Sequence, residues 1–299
     1  MKEAVSRTAL AVTLWRARES SRSAASRLFE DGLAPVFLDR RFRWALRLSR
    51  LPLIGAMVPW SLIDGHWAGS RGTVAVRTRY IDDALAAALR NGVEQVVILG
   101  AGFDSRAYRV PGIDRIRVFE VDHPATQTEK KKVIARRLGA LPSHVEFVPI
   151  DFSTHTLDAM LPAAGFRAAT RTFFICEGVT HYLSAADVDT LFRYVARSGA
   201  AGSEMVFTYI HRTILDGTAT FAGREDSGDR SAVRRTVHVR LRSGRAPSVS
   251  RGPRPGADRR RRSQHVSRAL PRPGSAAGAS RSPSSSGLRA CELPGRAAA

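Results

Sequence analysis

The run Val96-Val97-Ile98-Leu99 feeds directly into Gly100-Ala101-Gly102-Phe103-Asp104-Ser105-Arg106. A short apolar run that ends in Gly-x-Gly is how a buried parallel strand turns sharply, so that backbone N–H groups and a following helix N-terminus face a ligand. A second apolar run, Ile116 to Val121, ends in Asp122. An acid about twenty residues beyond the glycine turn is where α/β nucleotide folds hydrogen-bond a pair of ribose hydroxyls. These two features restrict the chain to an α/β fold with an adenosine-binding strand edge.

The third glycine of the dinucleotide fingerprint is absent, because Ser105 stands in its place. That glycine lets a helix pack closely under a pyrophosphate. Its absence argues against NAD and for a cofactor without a pyrophosphate, S-adenosylmethionine.

The order of the remaining segments extends the pattern. Strands are expected at Gln95–Leu99, 116–121, 145–150, Thr172–Cys176 and Glu204–Ile210. Helices are expected at Pro124–Leu138, Leu157–Ala163 and Ala185–Ser198, the last with Ser184 and Asp187 at capping-box spacing. Five strand–helix units in series imply a Rossmann-like, doubly wound, mostly parallel sheet covered on both faces. Upstream, residues 1–75 read as a helical N-terminal cap, with helical stretches at 8–19 and 40–50. A helix is expected at 82–91, with Asp82 and Asp83 in its first turn and Gly92 past its end. Residues 76–222 then form the cofactor-binding domain.

Charge divides the chain. The formal net charge is +20, but residues 223–299 hold 18 Arg, no Lys and 5 acids, a net +13, leaving +7 for residues 1–222. The tail also lacks Phe, Trp, Tyr and Ile. Such a segment cannot bury enough apolar surface to offset its ordering entropy, so it is expected to be disordered. It reads as a basic arm, an inert linker, or coding sequence translated out of frame. Shifted by one base, permitted codons turn residues 234–243 into Gly-Glu-Pro-Phe-Thr-Phe-Gly-Phe-Asp-Pro, which favours the frameshift. The C-terminal strands of the sheet are therefore expected to be missing, with an open edge beside Glu204–Ile210. Cys176 and Cys291 suggest neither a disulfide framework nor a zinc site. With no membrane-length apolar run and no signal-peptide pattern, the expected location is cytoplasmic, with no membrane partner.

In doubly wound sheets ligands bind beyond the carboxyl ends of the strands. The residues just past those ends are Gly100 and Gly102, Asp122, Asp151 and Phe152, and Glu177 with Gly178. Acids recur there at the same edge of one sheet.

Four ordered motifs now carry a resemblance: Arg77-Thr78-Arg79-Tyr80-Ile81-Asp82-Asp83, Leu99-Gly100-Ala101-Gly102-Phe103-Asp104-Ser105-Arg106, Phe119-Glu120-Val121-Asp122-His123-Pro124, and Glu177-Gly178-Val179-Thr180-His181-Tyr182-Leu183. Together, over residues 6–217, they resemble the leucine carboxyl methyltransferase-like branch of the class I S-adenosylmethionine-dependent methyltransferases. The resemblance implies that Arg79 pairs with the methionine carboxylate and that Gly100 and Gly102 turn under the methionine moiety. It implies that Asp122 binds the ribose, Asp151 and Phe152 hold the adenine, and Glu177 also contacts the cofactor. It further implies methyl transfer to an oxygen of a small-molecule or carboxyl-bearing acceptor that the sequence does not name. Such a transfer draws its rate largely from proximity and orientation, so no catalytic residue is assigned; His181 and Tyr182 read as packed residues near the site. No metal is expected. The alternative is a basic nucleic-acid-binding protein acting through its Arg-rich tail, but that tail has no aromatic residues on which bases could stack.

Overall fold

The structure is a computed structural model that describes residues 7–49, 70–151, 154–210 and 234–240. Six strands form one sheet in the order β3-β2-β1-β4-β5-β6. They are β1 (Gln95–Leu99), β2 (Arg117–Asp122), β3 (Val145–Pro149), β4 (Thr172–Cys176), β5 (Glu204–Ile210) and β6 (Arg234–Arg240). The first five run parallel, and the order reverses between β1 and β4, which places the switch point directly beyond Leu99. The five expected strands all appear, within a residue at their ends.

Both faces of the sheet are covered, as its all-apolar central strands require. Successive side chains of a strand point to opposite faces. Val97 and Leu99 of β1, with Phe119, Val121 and Phe174, therefore pack under helices α6 (Leu157–Ala163) and α7 (Ala185–Ser198) through Leu161, Leu191 and Val195. Val96 and Ile98, with Val118, Phe173 and Ile175, face Ile81, Leu85 and Ala88 of helix α3 (Ser70–Arg90) and the short helix α4 (Arg106–Arg109). Helix α5 (Pro124–Leu138) starts on Pro124, with His123 as its N-cap, and buries Ile134 against Leu33, Phe37 and Phe103. The Ser184/Asp187 capping box of α7 forms as its spacing predicts.

The N-terminal segment contributes α1 (Arg7–Ser20), a 3-10 turn at Ala34–Phe37 and α2 (Arg40–Leu48). Leu14 and Ala17 of α1 pack on Ala34, Leu38 and Leu46. Leu46 is the buried residue of α2, while Phe42, Trp44 and Leu48 are exposed.

Two expectations need correction. Helix α3 starts at Ser70, not at Asp82, so Asp82 and Asp83 sit within the helix and not in its first turn. Second, β5 has no open edge along its length. β6 pairs with it antiparallel from Glu204↔Arg240 to Ile210↔Arg234, so residues 234–240 of the tail form a strand where disorder and missing C-terminal strands were expected. A β-ladder needs backbone hydrogen-bonding groups, not large apolar side chains, and Thr236, Val237 and Val239 have high strand propensity. The other tail residues lie outside the described ones.

Candidate functional site

A cavity of about 420 Å³ opens at the carboxyl ends of β1, β2 and β4. That volume is in the range of small-molecule sites. Its floor is the turn after β1. Gly100 has φ +63°, a left-handed conformation that disfavours L side chains, and a Cβ there would collide with Val179. Gly102, at φ +43°, brings its backbone up to the acid of the next strand. The Asp122 carboxylate accepts hydrogen bonds from the Gly102 and His123 N–H groups, the second at 2.6 Å. Burial raises the Asp122 pKa, opposed by these two bonds. The residue spacing read from the sequence thus becomes direct contact between glycine turn and acid.

Gly100, Gly102, Asp122, Asp151 and Glu177 all line this cavity. Phe152 lies outside the described residues. Arg79 is the exception. Its side chain is 53% exposed, pairs with Asp83 one helical turn on at 2.8 Å and donates to the Leu28 carbonyl at 2.8 Å, all away from the cavity. Arg77 lines the cavity in its place and donates through Nε to Glu177 Oε1 at 2.6 Å. Two residues along an α-helix is a rotation of about 200°, so the two arginines of one motif point to opposite sides.

Around Glu177 the structure assembles a buried ion network that the sequence did not reveal. Arg106, 1% exposed, contacts Asp82 Oδ1 (2.7 Å), Asp104 Oδ2 (2.6 Å) and Glu177 Oε2 (2.8 Å). Arg109 pairs with Asp82 at 2.8 Å and reaches Asp31 at 3.7 Å. Arg16, from α1, pairs with Asp31 at 3.3 Å and donates to the Phe103 carbonyl at 2.5 Å, joining the N-terminal segment to the glycine turn. Burial alone would raise the Glu177 pKa, but Arg77 and Arg106 outweigh it and hold the carboxyl well below the usual carboxylate range. Burial likewise opposes the charge of Asp31, and Arg16 and Arg109 override it to lower that pKa. Of this network Arg16, Arg77, Asp104 and Glu177 line the cavity. The signal that pointed to them was proximity: Asp104 and Arg106 follow the glycine turn directly, and Arg77 begins the motif that contains Arg79. No local pattern marks Arg16 or Asp31.

Two sides of the cavity are lined by Thr8, Ala9 and Val12 of α1 and by Val179, Tyr182 and Leu183 after β4. The Tyr182 hydroxyl donates to Thr8 Oγ1 at 3.0 Å, bridging the two sides, although the side chain is 63% exposed. The His181 ring packs on Tyr182, with centroids 4.0 Å apart, and does not line the cavity; His123 does. Among the described residues, no group of three or more His, Cys, Asp or Glu is arranged to hold a metal ion, and no helix is long and apolar enough to cross a membrane.

The donor set suits S-adenosylmethionine. A Cβ at Gly100 would collide with Val179 in the lining, Asp122 accepts hydrogen bonds, and a guanidinium and carboxylates line the same cavity.

Comparison with known proteins bears on the same residues. The sequence model of the leucine carboxyl methyltransferase family matches residues 9–196. A protein of Parafrankia sp. (strain EAN1pec) is 41% identical over 202 residues, 67% of this chain and 62% of that one. One of Streptomyces coelicolor is 35% identical over 214 residues, 70% of each chain. The names of both assign them to the S-adenosyl-L-methionine-dependent methyltransferases. A solved structure from Thermobifida fusca, named as a methyltransferase, aligns over 67% of this chain and 66% of that one, at 16% identity and TM-score 0.39. The chain thus spans less than two thirds of the length of the Parafrankia relative. The nucleic-acid alternative gains no support from these relatives.

Proposed function

The chain belongs to the leucine carboxyl methyltransferase family, and on that premise we propose that it is an S-adenosylmethionine-dependent O-methyltransferase. One observation carries the reading: a single cavity brings the Gly100–Gly102 turn, Asp122, Asp151, Glu177 and Arg77 together at the switch point of the sheet. When bound, S-adenosylmethionine supplies an electrophilic methyl group on a sulfonium.

The roles follow from what each residue offers. Asp122 accepts the ribose hydroxyls, since an ionised carboxylate has lone pairs beyond the two already used. Asp151, with Phe152 beside it in sequence, faces the adenine. Arg77 binds the methionine carboxylate, because its hydrogen bond to Glu177 uses Nε and leaves the outer edge of the guanidinium for a second carboxylate. This moves to Arg77 the role expected of Arg79. Glu177, held ionised, serves the amino-acid end. Ala9, Val12, Val179 and Leu183 exclude water around the transfer path.

The acceptor is proposed to be a small molecule carrying a carboxyl or hydroxyl group, and the enzyme to work in the cytoplasm. A carboxylate acceptor is already a nucleophile, so positioning suffices and no base is required. The test is to incubate the full chain with methyl-labelled S-adenosylmethionine and a panel of carboxylic acids and alcohols. Label that appears in product and is released by mild base as methanol identifies a methyl ester. Label stable to base identifies an ether, and no transfer to any oxygen acceptor contradicts the proposal.

A further inference from the structure

Arg106 does not line the cavity, yet it is built more elaborately than any residue that does. Three carboxylates from three parts of the chain converge on it: Asp82 on α3, Asp104 after the glycine turn and Glu177 after β4. Asp104 and Glu177 meet the same nitrogen, Nη1, at 2.6 and 2.8 Å, and both line the cavity. Asp82 holds Nε from behind and is itself held by Arg109. The remaining Nη2 is buried without a hydrogen-bond partner, a cost the fold sustains at this position.

Such an arrangement solves a specific problem. Two carboxylates at one end of a cavity repel each other, and without a shared cation one of them takes up a proton. Arg16 and Arg77 line the same cavity, and their charges repel a ligand ammonium. A ligand amine therefore needs acceptors kept ionised and fixed in direction. We propose that Arg106 is a positioning residue that sets Asp104 and Glu177 as a fixed pair of acceptors for the amine of a ligand's amino-acid end. The inference rests on the cavity being the cofactor site. Arg106 acts through the two acids and touches no ligand itself. A lysine cannot replace it, because an ammonium is a point charge, whereas the guanidinium fork reaches opposite sides at once.

The test compares two ligands on the full chain by calorimetry. S-adenosylhomocysteine carries the amino-acid end, and 5′-methylthioadenosine keeps adenosine and sulfur without it. Arg106→Lys should weaken S-adenosylhomocysteine by about tenfold or more, while methylthioadenosine changes by less than about twofold. Asp82→Asn loosens Arg106 without touching the cavity, and should shift the ratio of the two affinities in the same direction by less. A parallel loss of both ligands in Arg106→Lys, or an unchanged ratio, overturns the proposal and assigns Arg106 to the fold alone. If Arg106→Lys does not fold, the ratio in Asp82→Asn decides, and an unchanged ratio there overturns the proposal. A parent chain that binds neither ligand rejects the cofactor reading itself and this inference with it.

Discussion

Arg77 and Arg79 are two residues apart, chemically identical and in very different surroundings, so replacing each by Met tests how the site is built. Arg77 is 5% exposed and Glu177 13%, with Nε–Oε1 at 2.6 Å. Removing one partner of a buried pair costs about 3–5 kcal/mol, mostly because the other charge is left behind. Arg106 still holds Glu177 Oε2, which puts Arg77→Met toward the lower end of that range. Arg79 is 53% exposed and Asp83 61%, an i,i+4 pair on a helix surface. Such a pair contributes about 0.3–0.5 kcal/mol, and the added bond to the Leu28 carbonyl keeps the total for Arg79→Met near ~1 kcal/mol. For a domain of this size each kcal/mol shifts Tm by about 2–4 °C. Arg77→Met should therefore melt about 6–12 °C below the parent, and Arg79→Met within about 4 °C of it. Thermal melts followed by circular dichroism, with calorimetric titration of S-adenosylhomocysteine into each variant, give both readouts. Cofactor affinity should fall in Arg77→Met and hold in Arg79→Met. Equal losses in the two variants, or parental affinity in Arg77→Met, would refute the placement of the carboxylate clamp.

Two further predictions address the floor of the site and the layer beneath it. Gly100→Ala forces a side chain into a left-handed conformation and against Val179, and should lower urea stability by about 2–4 kcal/mol; a parental midpoint would contradict the strained turn. Glu120, buried two residues before Asp122 on β2 with Lys130 Nζ at 2.8 Å from Oε2, has its pKa pushed up to about 7 by burial, against the attraction of Lys130. The folded chain then binds more protons than the unfolded chain between about pH 4.5 and 7, so this group makes stability fall as pH rises through that window. Glu120→Gln should flatten that slope in urea titrations from pH 5 to 7, and an unchanged slope would sink the assignment.

The layout of the sheet was legible because it depends on local signals. The apolar runs at Gln95–Leu99 and Thr172–Cys176, each ending at a glycine or an acid, are strands by composition and length. Their alternation with amphipathic helices dictates parallel order. The glycine turn and Asp122 were legible for the same reason, since the chain itself sets the distance between them. The start of α3 was not, because Gly72, Thr73, Val74 and Val76 are weak helix formers that packing overrides. β6 was masked by the composition of the whole tail, in which a short Thr-Val-His-Val stretch is outweighed by arginine. The ion network was the least legible. Arg77 and Glu177 are 100 residues apart and Arg106 and Glu177 are 71 apart, so nothing local pairs them. That Arg77 and not Arg79 lines the cavity depends on which helix face turns inward, and that is fixed by Ile81 and Leu85 packing on the sheet.

We propose that the cavity beyond β1 and β2 is an S-adenosylmethionine site with Asp122 as its ribose anchor. The most direct measurement is calorimetric titration of S-adenosylhomocysteine into the full chain and into Asp122→Ala, with circular dichroism to establish that both are folded. The expected result is saturable binding to the parent and a loss of about 1–3 kcal/mol in the variant, the range for hydrogen bonds to a charged group. A folded parent that does not bind, or a folded variant that binds as tightly as the parent, would contradict it.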